Sequence, residues 1–128
     1  MNRKTIVVFI AVTVGMLHFV TGPGYSGPFI AFVNGYMIDI LLPFAMYLVL
    51  GISNISIFRG SVARGCFVFM IGAVSETLQY FGVPLFGRTF DILDYPMFGI
   101  GISLGVIFEK IVLSGYTEKR NPRPDDPT

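Results

Sequence analysis

Charge is scarce in this sequence. Asp, Glu, Lys and Arg make up 13% of its 128 residues, about half the ~25% usual in soluble domains. Tryptophan is absent, and histidine and cysteine occur once each, as His18 and Cys66. A single cysteine excludes an intrachain disulfide and any cysteine-based metal cluster. One histidine without a cysteine pair argues against a zinc site, so neither a metal nor another cofactor is expected. The net charge of +1 offers no electrostatic case for nucleic acid. No Ser-His-Asp arrangement is legible.

What is abundant is apolar. Hydrophobic residues reach 53%, and the mean hydropathy is +0.71. Too little polar surface remains to cover a globule, which excludes a disordered chain and argues against a soluble enzyme. The composition points to one small all-α domain embedded in a membrane.

A helix needs about 20 mostly apolar residues to cross the hydrocarbon core. Residues 5–38 and 40–58 carry no formal charge. The first stretch is too long for one span and is broken at Gly22-Pro23-Gly24 and Gly27-Pro28. Helix 1 is therefore expected over about 5–21 and helix 2 over about 36–58, with a Gly/Pro/aromatic loop over 22–35. Gly60, flanked by Arg59 and Arg64, marks a turn. Helix 3 follows over about 62–82, broken by Gly82, Pro84 and Gly87. Asp94-Tyr95-Pro96 starts helix 4, with Asp94 as N-cap and Pro96 in the first turn, and the helix ends near Leu113. The tail 114–128 carries six charges, Pro122, Pro124 and Pro127, and reads as disordered.

Lys and Arg in the short connections set orientation. One side of this four-helix transmembrane bundle holds eight of them, Arg3, Lys4, Arg59, Arg64, Lys110, Lys119, Arg120 and Arg123; the other holds Arg88 alone. Both termini are then cytoplasmic, with the loops 22–35 and 83–93 outside. Arg3, Lys4 and the apolar Thr5–Val14 also fit the start of a signal peptide, but no A-x-A cleavage site precedes the loop.

Polar groups gather toward the outer side. His18, Asp39, Glu76, Gln79, Arg88, Asp91 and Asp94 come from four segments and share that depth, whereas Asn54 and Glu109 stand near the inner ends. Intramembrane ionisable groups usually face the protein interior. On helix 3, Gly65, Gly72, Glu76 and Gln79 share one face; on helix 4, Asp94, Phe98, Gly101, Gly105 and Glu109 do. Gly101-x-x-x-Gly105 lets helices approach closely, so both faces are expected to point into the bundle. The bland alternative is packing glue, with Arg88 neutralising Asp91 or Asp94. Gly22-Pro-Gly-Tyr-Ser-Gly27 fits G-x-G-x-x-G but lacks the strand–turn–helix context of a dinucleotide site.

The run Glu76-Thr-Leu-Gln79-Tyr-Phe-Gly-Val-Pro84-Leu-Phe-Gly-Arg88-Thr-Phe-Asp91-Ile-Leu-Asp94 has the form E-x-x-Q, proline, R-x-x-D-x-x-D, followed by Gly101 and Gly105. Helix 2 reads Asp39-Ile-Leu-Leu-Pro43-Phe-Ala-Met-Tyr47-Leu-Val-Leu-Gly51, similar to D-K-x-x-H-F-x-x-Y-x-x-x-G. Together these segments, within about residues 36–113, resemble the VanZ-like family of small membrane proteins, named for an accessory protein of teicoplanin (glycopeptide) resistance. Ile40, Pro43 and Phe98 depart from the family's lysine, histidine and asparagine. The resemblance implies a multi-pass protein of a bacterial cytoplasmic membrane, working on the cell envelope.

Four functions compete. The first is binding of a lipid-linked or amphipathic envelope molecule in an outward-facing polar pocket formed by Asp39, Glu76, Gln79, Arg88, Asp91 and Asp94, with Arg88 holding an anionic head group. The second is a membrane enzyme with Glu76 or Asp94 as acid/base on that lipid, a reading weakened by the missing lysine and histidine. The third is a structural or interaction subunit. The fourth is a transporter, which four short spans allow only as an oligomer or with another protein; homo-oligomerisation is left open. The bilayer itself is the one partner that composition requires.

Overall fold

The computed structural model of the chain describes residues 2–21, 25–83 and 91–114. These residues are all-helical, with no strand among them, and four helices are long and apolar enough to cross a membrane. They are α1 (Arg3–Thr21), α2 (Ile30–Ile52), α3 (Ser61–Tyr80) and α4 (Asp94–Leu113). Arg88 and the tail 115–128 lie outside the described residues.

Helix 4 begins and ends where the sequence places it, whereas helix 2 does not. Expected over 36–58, it runs over Ile30–Ile52, so the loop expected over 22–35 is shorter and residues 30–35 are helical. The reason is local. Phe29 adopts a left-handed conformation (φ 56°), and its carbonyl accepts from Val33 N–H at 2.9 Å, opening the first turn. A π-turn over Val33–Met37 then carries Asn34 and Gly35 without ending the helix. Asn34 Nδ2 donates to the Tyr25 carbonyl at 3.2 Å, and Tyr25 Oη donates to the Pro28 carbonyl at 3.0 Å, tying the loop to the helix. At the other end, Ser53 turns extended and its hydroxyl donates to the Leu50 carbonyl at 2.7 Å. A 3-10 turn, Ser56–Arg59, joins α2 to α3.

α3 ends two residues short of the expected 82. Gly82 has φ +85°, which a side chain rarely tolerates, and the Gly82 and Val83 amides donate to the Gln79 and Leu78 carbonyls, both at 2.9 Å. This pair of bonds satisfies carbonyls that would otherwise lack partners at the helix end.

The helices alternate in direction, and α2 is the hub: it packs on α1, α3 and α4, most extensively on α4. Helix-to-helix contact is layered from the end of Ile30, Tyr80 and Asp94 to the end of Arg3, Ile52, Ser61 and Leu113. Phe98 of α4 sits over Gly72 of α3, Gly101 of α4 meets the Ile40 backbone of α2, and Gly105 lies against the Tyr47 ring. Below these, the fully buried apolar core consists of Val7, Tyr47, Leu48, Val68 and Leu113, contributed by all four helices. The glycine-bearing faces of α3 and α4 do point into the bundle. Glycine is required most strictly at Gly101, where a Cβ would run into the Ile40 carbonyl oxygen, a backbone atom that no rotamer change can move. Pro43 is buried in α2 three residues further on. It cannot donate to the Asp39 carbonyl, which loosens the helix at this crossing.

Gly101→Ala is therefore expected to cost about 1–3 kcal/mol, the usual range for overpacking. Gly99→Ala, one turn-face away and with open space around it, should be neutral or gain up to ~1 kcal/mol from helix propensity. Unfolding of both variants in mixed micelles checks this; equal stabilities would mean that α2 and α4 do not cross at Gly101.

Candidate functional site

Polar side chains occupy the bundle at two levels, one at each end. The outer level, as the charge bias orients it, collects Tyr36 and Asp39 from α2, Glu76 from α3, Asp91 from the turn before α4, and Asp94 from its first residue. Asp94 is in side-chain contact with both Asp39 and Glu76. Tyr36 Oη donates to Asp91 Oδ2 at 3.2 Å. Glu76 is only 3% exposed, and its Oε2 is buried without a hydrogen-bond partner.

The start of α4 explains how two aspartates divide the work. Asp94 is not the N-cap that the sequence suggests: the cap position is Leu93, with no side-chain cap bond. Asp91 takes that role instead. Its Oδ1 accepts from Leu93 N–H at 2.9 Å, and its carbonyl accepts from Asp94 N–H at 3.1 Å. With the local amides served by Asp91, the Asp94 side chain is free to turn inward, where it is buried.

One helical turn below, the Phe98 ring floors the set. It is buried and lies where a Cβ on Gly72 would come within 2.6 Å of it. Four residues separate Gly72 from Glu76 and Asp94 from Phe98, so each helix contributes one glycine or aromatic below one carboxyl. The floor is apolar, and hydrogen-bond donors for Glu76 must approach from elsewhere.

The sequence-based candidates thus separate. Asp39, Glu76, Asp91 and Asp94 converge. Gln79 is half-buried on α3, one turn beyond Glu76. Arg88 is not among the described residues. His18 is exposed on α1, and α1 packs chiefly on α2. Among the described residues no group of three His, Cys, Asp or Glu side chains has the arrangement to hold a metal ion.

The inner level holds a polar set as well, where the sequence suggests only Asn54 and Glu109 near the inner ends. Glu109 of α4 accepts a bidentate pair from Arg64 of α3, Nη1 to Oε1 and Nη2 to Oε2, both at 2.9 Å. Arg3 Nη2 adds a third bond to Oε1 at 2.6 Å, and Tyr47 Oη a fourth to Oε2 at 2.9 Å. The Arg64 guanidinium also stacks 4.6 Å from the Tyr47 ring centroid. Arg64 is 4% exposed, so it is no turn marker but a buried cation. Gly51 makes room for it: a Cβ there would strike Arg64 Nη1. Two signals for this cluster were legible. Arg64, Val68, Gly72 and Glu76 stand at spacings of four on α3, and Glu109 ends the inward row of α4. What was missing was the register that brings these two rows together. Both Glu109 oxygens are engaged, so this level is a structural clamp, although Arg3 Nε beside it is also buried without an acceptor. The outer level, where carboxyls meet with no cation paired to them among the described residues and Glu76 Oε2 has no donor, is the candidate for a ligand.

Comparison with protein-family models, with curated proteins and with solved structures finds no match for this chain.

Proposed function

We propose that this chain is a multi-pass membrane protein with both termini cytoplasmic. Its outward-facing carboxyl set would hold the polar end of a lipid-linked or amphipathic envelope molecule, as the VanZ-like resemblance suggests. Four apolar helices and the eight-to-one distribution of Lys and Arg support the topology. The observation that carries the binding role is Glu76: buried, beside Asp94, with Oε2 left without a donor. Buried polar atoms are nearly always satisfied, and an exception calls for an explanation. A ligand donor supplies one.

The topology is tested by impermeant thiol labelling in a Cys66→Ser background. A cysteine at Ser26 should label from outside and one at Ser61 only after the membrane is opened. Labelling of the Ser61 position from outside would reverse the orientation.

Binding is tested by mass spectrometry of lipids that copurify with the protein. Wild type should retain a stoichiometric species, and Glu76→Gln or Asp94→Asn should retain about tenfold less, the equivalent of one hydrogen bond to a charged group. Equal lipid content in all three would remove the binding role. A second reading, acid–base chemistry on the same molecule, draws on the Glu76–Asp94 contact; a bound lipid that Glu76→Gln retains but no longer converts would select it.

A further inference from the structure

We infer that the occupant of the outer site carries an ammonium group, its nitrogen held among Asp39, Glu76 and Asp94 and its apolar chain lying in the membrane. This rests on the binding role just proposed and names the chemistry of its ligand. It also departs from the sequence-based expectation of an anionic head group on Arg88.

The first ground is charge. The outer side contains four carboxyl groups, Asp39, Glu76, Asp91 and Asp94, against Arg88 and His18. Even with both of these positive, two carboxyls have no cation to pair with and only share protons with one another where Asp94 meets Asp39 and Glu76. Three of the four converge from three different helices, and like charges so placed repel strongly where water is scarce. An anionic head group would add to that repulsion.

The second ground is the unpartnered, buried Oε2 of Glu76. It accepts and cannot donate when ionised. The nearby phenol is already committed, because Tyr36 Oη donates to Asp91, and the Phe98 floor is apolar. The Asp91 amide and the Asp94 carboxyl also reach Glu76, yet no donor among the described residues serves Oε2, and a ligand N–H would.

The third ground separates an organic cation from a bare one. The carboxyls lack the arrangement that would hold a metal ion. Metal sites bring oxygens to about 2.0–2.6 Å of one centre. An ammonium instead presents three N–H donors at about 2.7–2.9 Å from carboxylate oxygens, and three carboxyls from three helices suit it. Around the same end Phe29, Tyr80, Phe81 and Ile92 are exposed, an apolar rim along which the alkyl chain of an amphiphile can lie.

The test uses the full chain in micelles of a polyoxyethylene ether, which are neutral and nearly free of donors. Four probes are titrated in: dodecylammonium, lysophosphatidylethanolamine, dodecyl phosphate and dodecyl maltoside. Binding is read by native mass spectrometry and by the shift in thermal unfolding. Dodecylammonium should bind saturably, at least tenfold more tightly to wild type than to Glu76→Gln or Asp39→Asn. The two variants are compared so that a folding defect in one does not decide the outcome. If lysophosphatidylethanolamine binds equally well, the inference holds and the source of the amine is a lipid head group; if dodecylammonium alone binds, it holds with a free amine as the source. Preference for dodecyl phosphate or dodecyl maltoside, lost in the same variants, would overturn the ammonium assignment and leave the binding role standing. No carboxyl-dependent binding of any probe would overturn both.

Discussion

Glu109→Ala is expected to lower the unfolding free energy by about 3–5 kcal/mol, the usual cost of breaking a buried ion pair from one side. The substitution removes the only acidic partner of Arg64 among the described ion pairs and leaves a guanidinium that is 4% exposed. Arg3 should suffer less, because a third of its side chain is exposed and a long arginine stem lets the head reach water. Tyr47 loses its acceptor as well. Arg64→Met/Glu109→Leu should recover most of the loss, since a well-packed apolar pair of similar volume often replaces a buried ion pair without penalty. Unfolding in mixed micelles would measure all three proteins. A cost for Glu109→Ala below ~1 kcal/mol, the range of surface pairs, would show that water reaches this level. A double variant as unstable as the single one would show that the clamp's charge, and not its packing, holds α3 to α4.

Phe98→Asn should cost about 2–4 kcal/mol. The ring fills the gap between α4 and α3 over Gly72, and asparagine leaves part of that volume empty. The new amide would stand one turn below the Asp94 carboxyl, with the apolar floor that the ring supplied gone. At this position the chain thus has a plug, and the ring separates the carboxyls above it from the bundle below. Pairing Phe98→Asn with Gly72→Ser tests whether the lost volume or the lost dryness matters: a serine hydroxyl refills space and offers the amide a partner. An unchanged or raised melting temperature for Phe98→Asn alone would mean that the layer is already wet and polar, and would bring the acid–base reading forward.

Much of this architecture follows from composition and spacing alone. Scarce charge and long apolar runs are enough to call for spans, because a backbone in hydrocarbon must satisfy its own hydrogen bonds and a helix does so segment by segment. The start and end of α4 were legible because Asp94-Tyr-Pro and the charged tail bracket an apolar run of the right length. The inward faces of α3 and α4 were legible because helical periodicity is a property of one chain segment. The end of α3 followed from Gly82, whose positive φ needs no neighbour to explain it.

Other features were decided only by tertiary contact. The beginning of α2 is the exception, local and still not legible: it depends on a π-turn and on Tyr25 and Asn34 fastening the loop. The exchange of roles between Asp91 and Asp94 depends on which carboxyl finds an amide and which finds Asp39 and Glu76. Arg64 looked like a turn residue because charge beside a glycine usually lies at the surface; its burial requires Gly51, Tyr47 and Glu109 from two other helices. Periodicity assigns a residue to a face, but the height at which two faces meet is set by where a missing Cβ lets backbones touch. At Gly101 and Ile40 that contact aligns α4 with α2, and the alignment places one carboxyl set at each end of the bundle, one saturated by arginine and one left open.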